Sequence, residues 1–248
     1  MNPGLPTLGA WFAISLAALI PLQRWMTGSL QHLLLRILRT PQRALFAYAV
    51  LFMPGVALHE ASHWVVARLL GVRATSFSLL PKLARNGTLR LGYVQIEAVD
   101  PVRAALIGAA PLVAGTLALS ALGTTVLGLD RLAAAAAGGR PQALAEAIAA
   151  TTSVPCWGLW LYLAVIVSNT MLPSRSDRAA WGWVLLAVAL LAAGVLMLGW
   201  GEAAARLMAA PAGVLLGYLA SAFTLTAALD MLLGFPLWAL DVVLSRRS

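Results

Sequence analysis

Two histidines and a glutamate are spaced in this sequence as they are in metal-dependent hydrolases. Residues 57–64 read Ala-Leu-His-Glu-Ala-Ser-His-Trp, so His59 and His63 are four positions apart and Glu60 directly follows the first. Residues four apart in a helix lie on one face, where two imidazoles can bind one ion. Glu60 would then reach a water on that ion and take its proton. The spacing therefore predicts zinc-assisted hydrolysis.

The apolar surroundings of this motif strengthen the prediction. The chain has only three histidines, so an accidental His-Glu-x-x-His pattern is expected in roughly one in a thousand such chains. Ionisable side chains are costly to bury in lipid, and those found there usually serve a function. A buried polar network without a metal is the alternative. The third histidine, His32, follows Gln31 in a basic segment and is expected at the surface.

The composition places the protein in a membrane. Its 248 residues are 61% apolar and 10% charged, whereas soluble domains carry about 25% charged residues. The net charge of +8 is spread over short loops, which favours contact with anionic lipid headgroups and argues against nucleic acid as a partner. Residues 129–142 are one such expected loop. Long apolar runs predict an all-α membrane protein with about six transmembrane helices, over residues 8–22, 44–70, 102–128, 154–173, 180–199 and 211–238.

The chain divides into three predicted parts. Residues 1–43 are an N-terminal anchor and a basic amphipathic segment, for which an interfacial helix and an ordinary loop are equally open. Residues 44–180 are the expected core, which carries the metal-binding motif, and residues 181–248 are the C-terminal transmembrane helices. Asn86-Gly87 is a strong hairpin signal between alternating apolar residues. A short β-hairpin is therefore expected after the metal-binding helix.

A hydrolytic zinc site needs a third protein ligand and one position left open for water. If the spans alternate in direction, this ligand must lie near the end of a span that runs parallel to the histidine helix. Asp177, just after the fourth span, and Asp230, in the sixth, both meet this condition, and position alone leaves both open. The full set of acidic candidates is Glu97, Asp100, Asp130, Glu146, Asp177, Glu202, Asp230 and Asp241.

A second stretch extends the pattern beyond the histidines. Residues 168–177 read Ser-Asn-Thr-Met-Leu-Pro-Ser-Arg-Ser-Asp, with Asn169 near the start and Asp177 at the end. Together with the histidine helix and the hairpin signal, this stretch resembles the site-2 protease family of intramembrane zinc metalloproteases, in which Asn-x-x-Pro precedes Asp-Gly. The resemblance covers about residues 44–180 and implies that Asp177 is the third zinc ligand. Arg178 stands where the family has glycine.

Asn169 has two possible roles. Its amide could donate a hydrogen bond to the oxyanion that develops during hydrolysis, which would make it a catalytic residue together with Glu60. A hydrogen bond to another helix inside the membrane is equally consistent with its position.

The family resemblance implies a zinc endopeptidase that cuts other proteins in or near their membrane segments. Such a substrate must unwind, and the hairpin could hold it as an added strand. The alternatives are a non-catalytic zinc-binding membrane regulator and a membrane metalloprotease of the prenyl-protein-processing type, which uses a glutamate as third ligand. Ten Lys and Arg residues flank the spans on the side of the histidine motif and seven on the other. This bias predicts that the motif faces the cytoplasm.

Overall fold

The protein is built mainly from α-helices, with short strands between the second and third. The computed structural model describes residues 4–79, 82–83, 89–90 and 92–245. The helices are α1 (Leu5–Leu38), α2 (Pro41–Leu69), α3 (Pro101–Ala121), α4 (Leu129–Ala137), α5 (Pro141–Thr152), α6 (Trp157–Thr170), α7 (Trp181–Met197) and α8 (Gly201–Ser245). A π-helical segment, Leu122–Val126, continues α3. The strands are β1 (Ala74–Ser78), β2 (Lys82–Leu83), β3 (Leu89–Arg90) and β4 (Tyr93–Ile96).

Several of these helices have the length and composition of membrane spans. Within the described residues, four are long and apolar enough to cross a membrane: α1, α2, α8, and α3 with its π-helical continuation. Helices α5 and α6 meet at a bend of 92° and would supply a fifth span if they act together. Helix α7 is shorter, at 17 residues. These helices indicate a membrane protein, while the expected number of six spans stays a prediction.

Proline and a capping aspartate set where the helices around the site begin. Pro41 and Pro101 occupy the first turns of α2 and α3. Backbone N–H groups in a first turn have no partner inside the helix, so proline can stand there without the loss of a hydrogen bond. The Asp100 carboxylate accepts hydrogen bonds from the backbone N–H of Val102 at 3.1 Å and of Arg103 at 3.0 Å. Such a cap satisfies N–H groups that have no partner inside the helix. The first turn of α3, which lies close to the functional site, is thereby fixed.

Two segments differ from their expected structure. Residues 24–38 are helical and continue α1 without a break, so the loop alternative is excluded, while an interfacial position of this segment stays a prediction. Met26 and Leu33 are buried on one side of it. Residues 129–142, the expected loop, form α4 and the start of α5. Their alanine-rich composition favours a helix.

Helices α1 and α8 pack side by side and run in the same direction. Trp25 lies against Gly234, where an added Cβ would collide with the indole ring. Further along both helices, Arg36 Nε donates a hydrogen bond to Asp241 Oδ1 at 2.9 Å. Small residues at such contacts allow helices to approach closely in a membrane. This pair forms a framework against which α6 packs.

Helices α2 and α6 also run in the same direction and approach closely. Tyr162 donates a hydrogen bond from its hydroxyl to the Leu51 carbonyl at 2.6 Å. One turn further along, Gly55 faces Ile166 and Thr170, and any side chain larger than hydrogen would overlap with them. This glycine therefore brings the C-terminal end of α6 next to the histidines of α2.

The strands lie between α2 and α3 and form two antiparallel pairs. Strand β1 pairs with β4, and β2 pairs with β3. In the first pair, Phe77 lies opposite Val94. Asn86-Gly87, where the sequence predicts the turn, lies outside the described residues, so the position of the hairpin turn stays a prediction.

Candidate metal centre

His59, His63 and Asp177 bring three potential metal ligands together. The histidines occupy successive turns of α2, and Asp177 lies in the segment between α6 and α7. His59 Nε2 lies 3.3 Å from His63 Nε2 and 3.5 Å from Asp177 Oδ2, and His63 Nε2 lies 3.4 Å from Asp177 Oδ1. All the ligand atoms lie within 4.8 Å of one another. Two imidazoles and one carboxylate can hold a divalent metal ion and leave a coordination position open.

Backbone carbonyl groups fix both imidazole rings. His59 Nδ1 lies 2.6 Å from the Thr170 carbonyl oxygen, and His63 Nδ1 lies 2.8 Å from that of Ile107. Because a carbonyl oxygen only accepts hydrogen bonds, each Nδ1 carries the hydrogen and donates it. In a neutral imidazole the Nε2 atom then keeps its lone pair, as a metal ligand requires. Both rings therefore have the orientation and tautomer that suit metal binding.

A tight turn after α6 positions Asp177. The Ser174 backbone N–H donates to Asp177 Oδ2 at 2.7 Å, and the Asp177 N–H donates to Ser174 Oγ at 3.3 Å. The backbone of Asp177 lies directly against Gly108 of α3, where an added Cβ would overlap with the Asp177 carbonyl group. Only glycine at position 108 allows this approach, so α3 helps to set the distance between Asp177 and the histidines.

The surroundings of Asp177 keep its carboxyl group ionised. Burial alone would raise its pKa, but the contacts with the His59 and His63 rings and the hydrogen bond from Ser174 lower the pKa of the Asp177 carboxyl well below its usual range. Hydrogen bonds to the charged form of an acid have this effect. Asp177 is therefore an anion at neutral pH, the form in which a carboxylate binds a metal.

The three ligands line a cleft of about 870 Å³ that also contains Glu60. Helix α2 forms one wall, and residues 92–96 of the β4 segment line another. Gly92 lies so close to α2 that an added Cβ would be 3.0 Å from Glu60 Cγ and 2.9 Å from Val56 Cγ1. The backbone of Val94 lies beside the Glu60 carboxylate. Glu60 is thus held at the wall of the cleft, beside the potential metal ligands.

Asn169 and Asp230 form a second polar pair beside this centre. Asn169, in the last turn of α6, lines the same cleft. Its Nδ2 donates to Asp230 Oδ1 at 2.7 Å and to the Val165 carbonyl at 3.0 Å. This is the helix–helix hydrogen bond that the sequence left open, and the contribution of Asn169 to oxyanion binding stays a prediction. Asp230 lies beside Asn169, and the structure does not bring it to the histidines.

Other acidic candidates have different partners. Glu202 pairs with Arg206 at 2.7 Å, and Asp241 pairs with Arg36 at 2.9 Å. In the part of the chain that the structure describes, one group of His, Cys, Asp and Glu side chains is close enough to hold a metal, and it is the triad described above. His32 is exposed, as the sequence predicts.

Sequence reasoning missed the groups that orient the ligands. The carbonyl groups of Ile107 and Thr170 leave no signal in the sequence, because every residue type carries one. A signal was present for Ser174, since Ser-x-x-Asp up to Asp177 has the spacing of a capping box. That spacing predicts the reciprocal hydrogen bonds of this turn.

Comparisons with known proteins add no family assignment. No family model matches the chain, and neither a curated protein nor a solved structure matches it. The function is therefore inferred from the site and its chemistry.

Proposed function

We propose that this protein is an intramembrane zinc metalloprotease that hydrolyses peptide bonds in or near transmembrane segments of other proteins. The observation that carries the proposal is the meeting of His59, His63 and Asp177 in a cleft that also contains Glu60. Two histidines, a carboxylate and a neighbouring glutamate are the parts of a hydrolytic zinc site. The resemblance of residues 168–177 to the site-2 protease motif supports a peptide bond as the substrate.

Each residue of the site has a separate task. His59, His63 and Asp177 would hold the zinc ion through two Nε2 atoms and a carboxylate, since the Nδ1 atoms are hydrogen-bonded to backbone carbonyl groups. A bound zinc ion supplies a Lewis acid that polarises a carbonyl group and lowers the pKa of a water molecule. Glu60 accepts the proton of the attacking water and returns it to the leaving amine.

Strand β4 offers a place for the substrate backbone. Its segment lines the cleft along residues 92–96 and, among the described residues, pairs with β1 alone. An unwound peptide can extend this sheet as an added strand, which satisfies N–H and C=O groups that lipid cannot. Elsewhere the cleft is lined by Tyr48, Phe52 and Val56. These side chains suit an apolar segment that comes from a membrane span.

The proposed enzyme crosses the bilayer several times and opens its cleft to the cytoplasm. If the six spans predicted from the sequence alternate across the membrane, ten of the Lys and Arg residues flank the side of the histidine motif and seven flank the other. Short cytoplasmic loops carry such an excess of positive charge. Its partners are then the lipid bilayer and a membrane-protein substrate.

The test compares Glu60→Gln with Glu202→Gln, a control at an exposed residue that pairs with Arg206 outside the cleft. Metal analysis measures bound zinc, and mass spectrometry follows cleavage of synthetic single-span peptides in phospholipid vesicles. The wild-type protein and the control should bind about one zinc per chain and cleave a peptide. Glu60→Gln should keep the zinc but lose about 100-fold or more in rate, since a general base contributes about that factor.

Each other outcome has a defined meaning. Absence of zinc from the wild-type protein, or an unchanged cleavage rate in Glu60→Gln, would overturn the proposal. Zinc binding without cleavage of any peptide would favour a non-catalytic zinc-binding regulator. An enzyme of the prenyl-protein-processing type needs a glutamate as third ligand. Glu60 is the one glutamate among the described residues that lines the cleft. Retention of bound zinc by the Asp177→Asn variant would favour that type.

A further inference from the structure

A buried polar pair joins α8 to the last turn of α6. Asp230 is 0% exposed and lies in a helix long and apolar enough to cross a membrane. Its Oδ1 accepts a hydrogen bond from Asn169 Nδ2 at 2.7 Å. An ionisable side chain is costly in such a position and usually serves a function. The proposed hydrolysis makes no direct use of Asp230, so its presence needs a separate explanation.

The pair fixes the orientation of the Asn169 amide. An amide nitrogen carries two hydrogens, and those of Asn169 go to Asp230 and to the Val165 carbonyl at 3.0 Å. The remaining oxygens, Asn169 Oδ1 and Asp230 Oδ2, are buried and have no partner among the described residues. Breaking the shared bond would leave further buried polar atoms unsatisfied, which is costly. Each side chain therefore holds the other in place.

The same turn of α6 also binds His59, a candidate metal ligand that belongs to α2. Carbonyl groups at a helix C-terminus have no partner inside the helix, and two of them here bind side chains of other helices. Gln23 Nε2 of α1 donates to the Ser168 carbonyl at 3.1 Å, and the Thr170 carbonyl accepts from His59 Nδ1 at 2.6 Å. Asn169 lies between these two residues. Helices α1, α8 and α2 thus bind three successive residues of α6.

From this arrangement we infer that Asp230 is a positioning residue of the metal centre. Through Asn169 it fixes the last turn of α6, so that the Thr170 carbonyl meets His59 Nδ1. The inference rests on the proposed metal site but gives Asp230 a role without contact to the metal. Groups that orient metal-bound histidines affect metal affinity about 10- to 100-fold. Asp230 does not touch a histidine but acts through Asn169 and the Thr170 carbonyl. We therefore expect an effect on zinc affinity at the lower end of this range, about tenfold.

The test measures zinc affinity by competition with a chromogenic chelator. Asp230→Leu removes both carboxyl oxygens and should lower zinc affinity about tenfold. It should also change the visible spectrum of the Co²⁺-loaded protein, because the ring of His59 is no longer held in one orientation. Asp230→Asn keeps an oxygen that accepts the hydrogen bond from Asn169. Its zinc affinity should stay within about twofold of the wild type.

Thr226→Val is the matched control. Thr226 is also 0% exposed in α8, but its hydroxyl donates to the Ala222 carbonyl of the same helix at 2.8 Å. Its replacement removes a buried polar group without breaking a bond to α6. Zinc affinity and the Co²⁺ spectrum should remain those of the wild type, even if the thermal unfolding temperature falls.

The outcomes separate a positioning role from a purely structural one. Unchanged zinc affinity in Asp230→Leu, or equal losses in Asp230→Leu and Thr226→Val, would overturn the inference. If Asp230→Leu does not fold, the exchange of Asn169→Asp with Asp230→Asn rebuilds the bond with donor and acceptor reversed. It should restore the affinity that Asn169→Asp alone loses, and failure to do so would also overturn the inference. A wild-type protein without zinc would instead overturn the proposed function.

Discussion

Asp177 contacts the imidazoles of both His59 and His63, so we expect zinc binding to depend on it more than on any other carboxylate among the described residues. Asp177→Asn should lower zinc affinity by more than the roughly 100-fold that loss of an orienting group can cost, because a neutral amide replaces an anionic ligand. Chelator competition measures the affinity. Asp241→Asn, which alters a carboxylate paired with Arg36, should bind zinc as the wild type does. Retention of zinc in Asp177→Asn together with its loss in Asp230→Asn would show that the third ligand is Asp230.

Zinc affinity should fall in acid, and the imidazoles rather than Asp177 are the reason. The lowered pKa of Asp177 keeps its carboxyl ionised well below neutral pH, so this group takes up no proton in mild acid. Imidazoles ordinarily titrate at about pH 6.5 and must be neutral to bind a metal. Affinity should therefore decrease as the pH falls from about 7.5 to 5, by up to about two log units per pH unit. Chelator competition across this range would refute the assignment if the affinity stayed constant.

At the level of the elements, we expect the approach of α3 to the turn after α6 to control metal binding at the candidate centre. A Cβ at Gly108 would overlap with the backbone of Asp177, and a backbone cannot move aside as the end of a flexible side chain can. Gly108→Ala should therefore displace Asp177 and lower zinc affinity about tenfold or more, as for other changes around a metal site.

Gly182→Ala is the control for this substitution. Nothing lies within 4 Å of a Cβ built at Gly182 in α7, so the change should leave zinc affinity intact. The affinities of both variants are measured by chelator competition, and their folding is compared by thermal unfolding. Equal affinity of Gly108→Ala and the wild-type protein would show that α3 does not set the position of the Asp177 ligand.

At the level of the whole molecule, we expect the distribution of positive charge to decide the side of the membrane to which the cleft opens. The excess of Lys and Arg near the histidine motif predicts a cytoplasmic opening. In a Cys156→Ser background, a cysteine at Gly87 should react with an impermeant maleimide only when the cytoplasmic face is accessible, as in inverted vesicles. Arg140→Cys, in the expected opposite region, should show the reverse pattern. Labelling of the Gly87 variant from outside intact cells would contradict the predicted orientation.

The sequence by itself determined the helical class and the face that carries the histidines. The spacing of His59 and His63 fixes their common helix face through local geometry alone, and α2 includes both residues. Apolar runs likewise predicted where long helices form. The sequence did not determine where α1 ends, because the arginines within residues 24–38 suggested that the membrane span ends before them. Packing against other helices decided that these residues continue α1.

Contact between Asp177 and the histidines is a property of the tertiary structure. The family resemblance implied Asp177 as a ligand, but both aspartates satisfied the positional criterion, because a position along the chain does not say which carboxylate approaches the histidines. The choice depends on contacts between distant residues: Gly108 lets the turn carrying Asp177 approach α3, while Asn169 binds the Asp230 carboxyl between helices. Such contacts arise from close packing of complementary shapes, which residue types and their spacing do not encode in any local pattern.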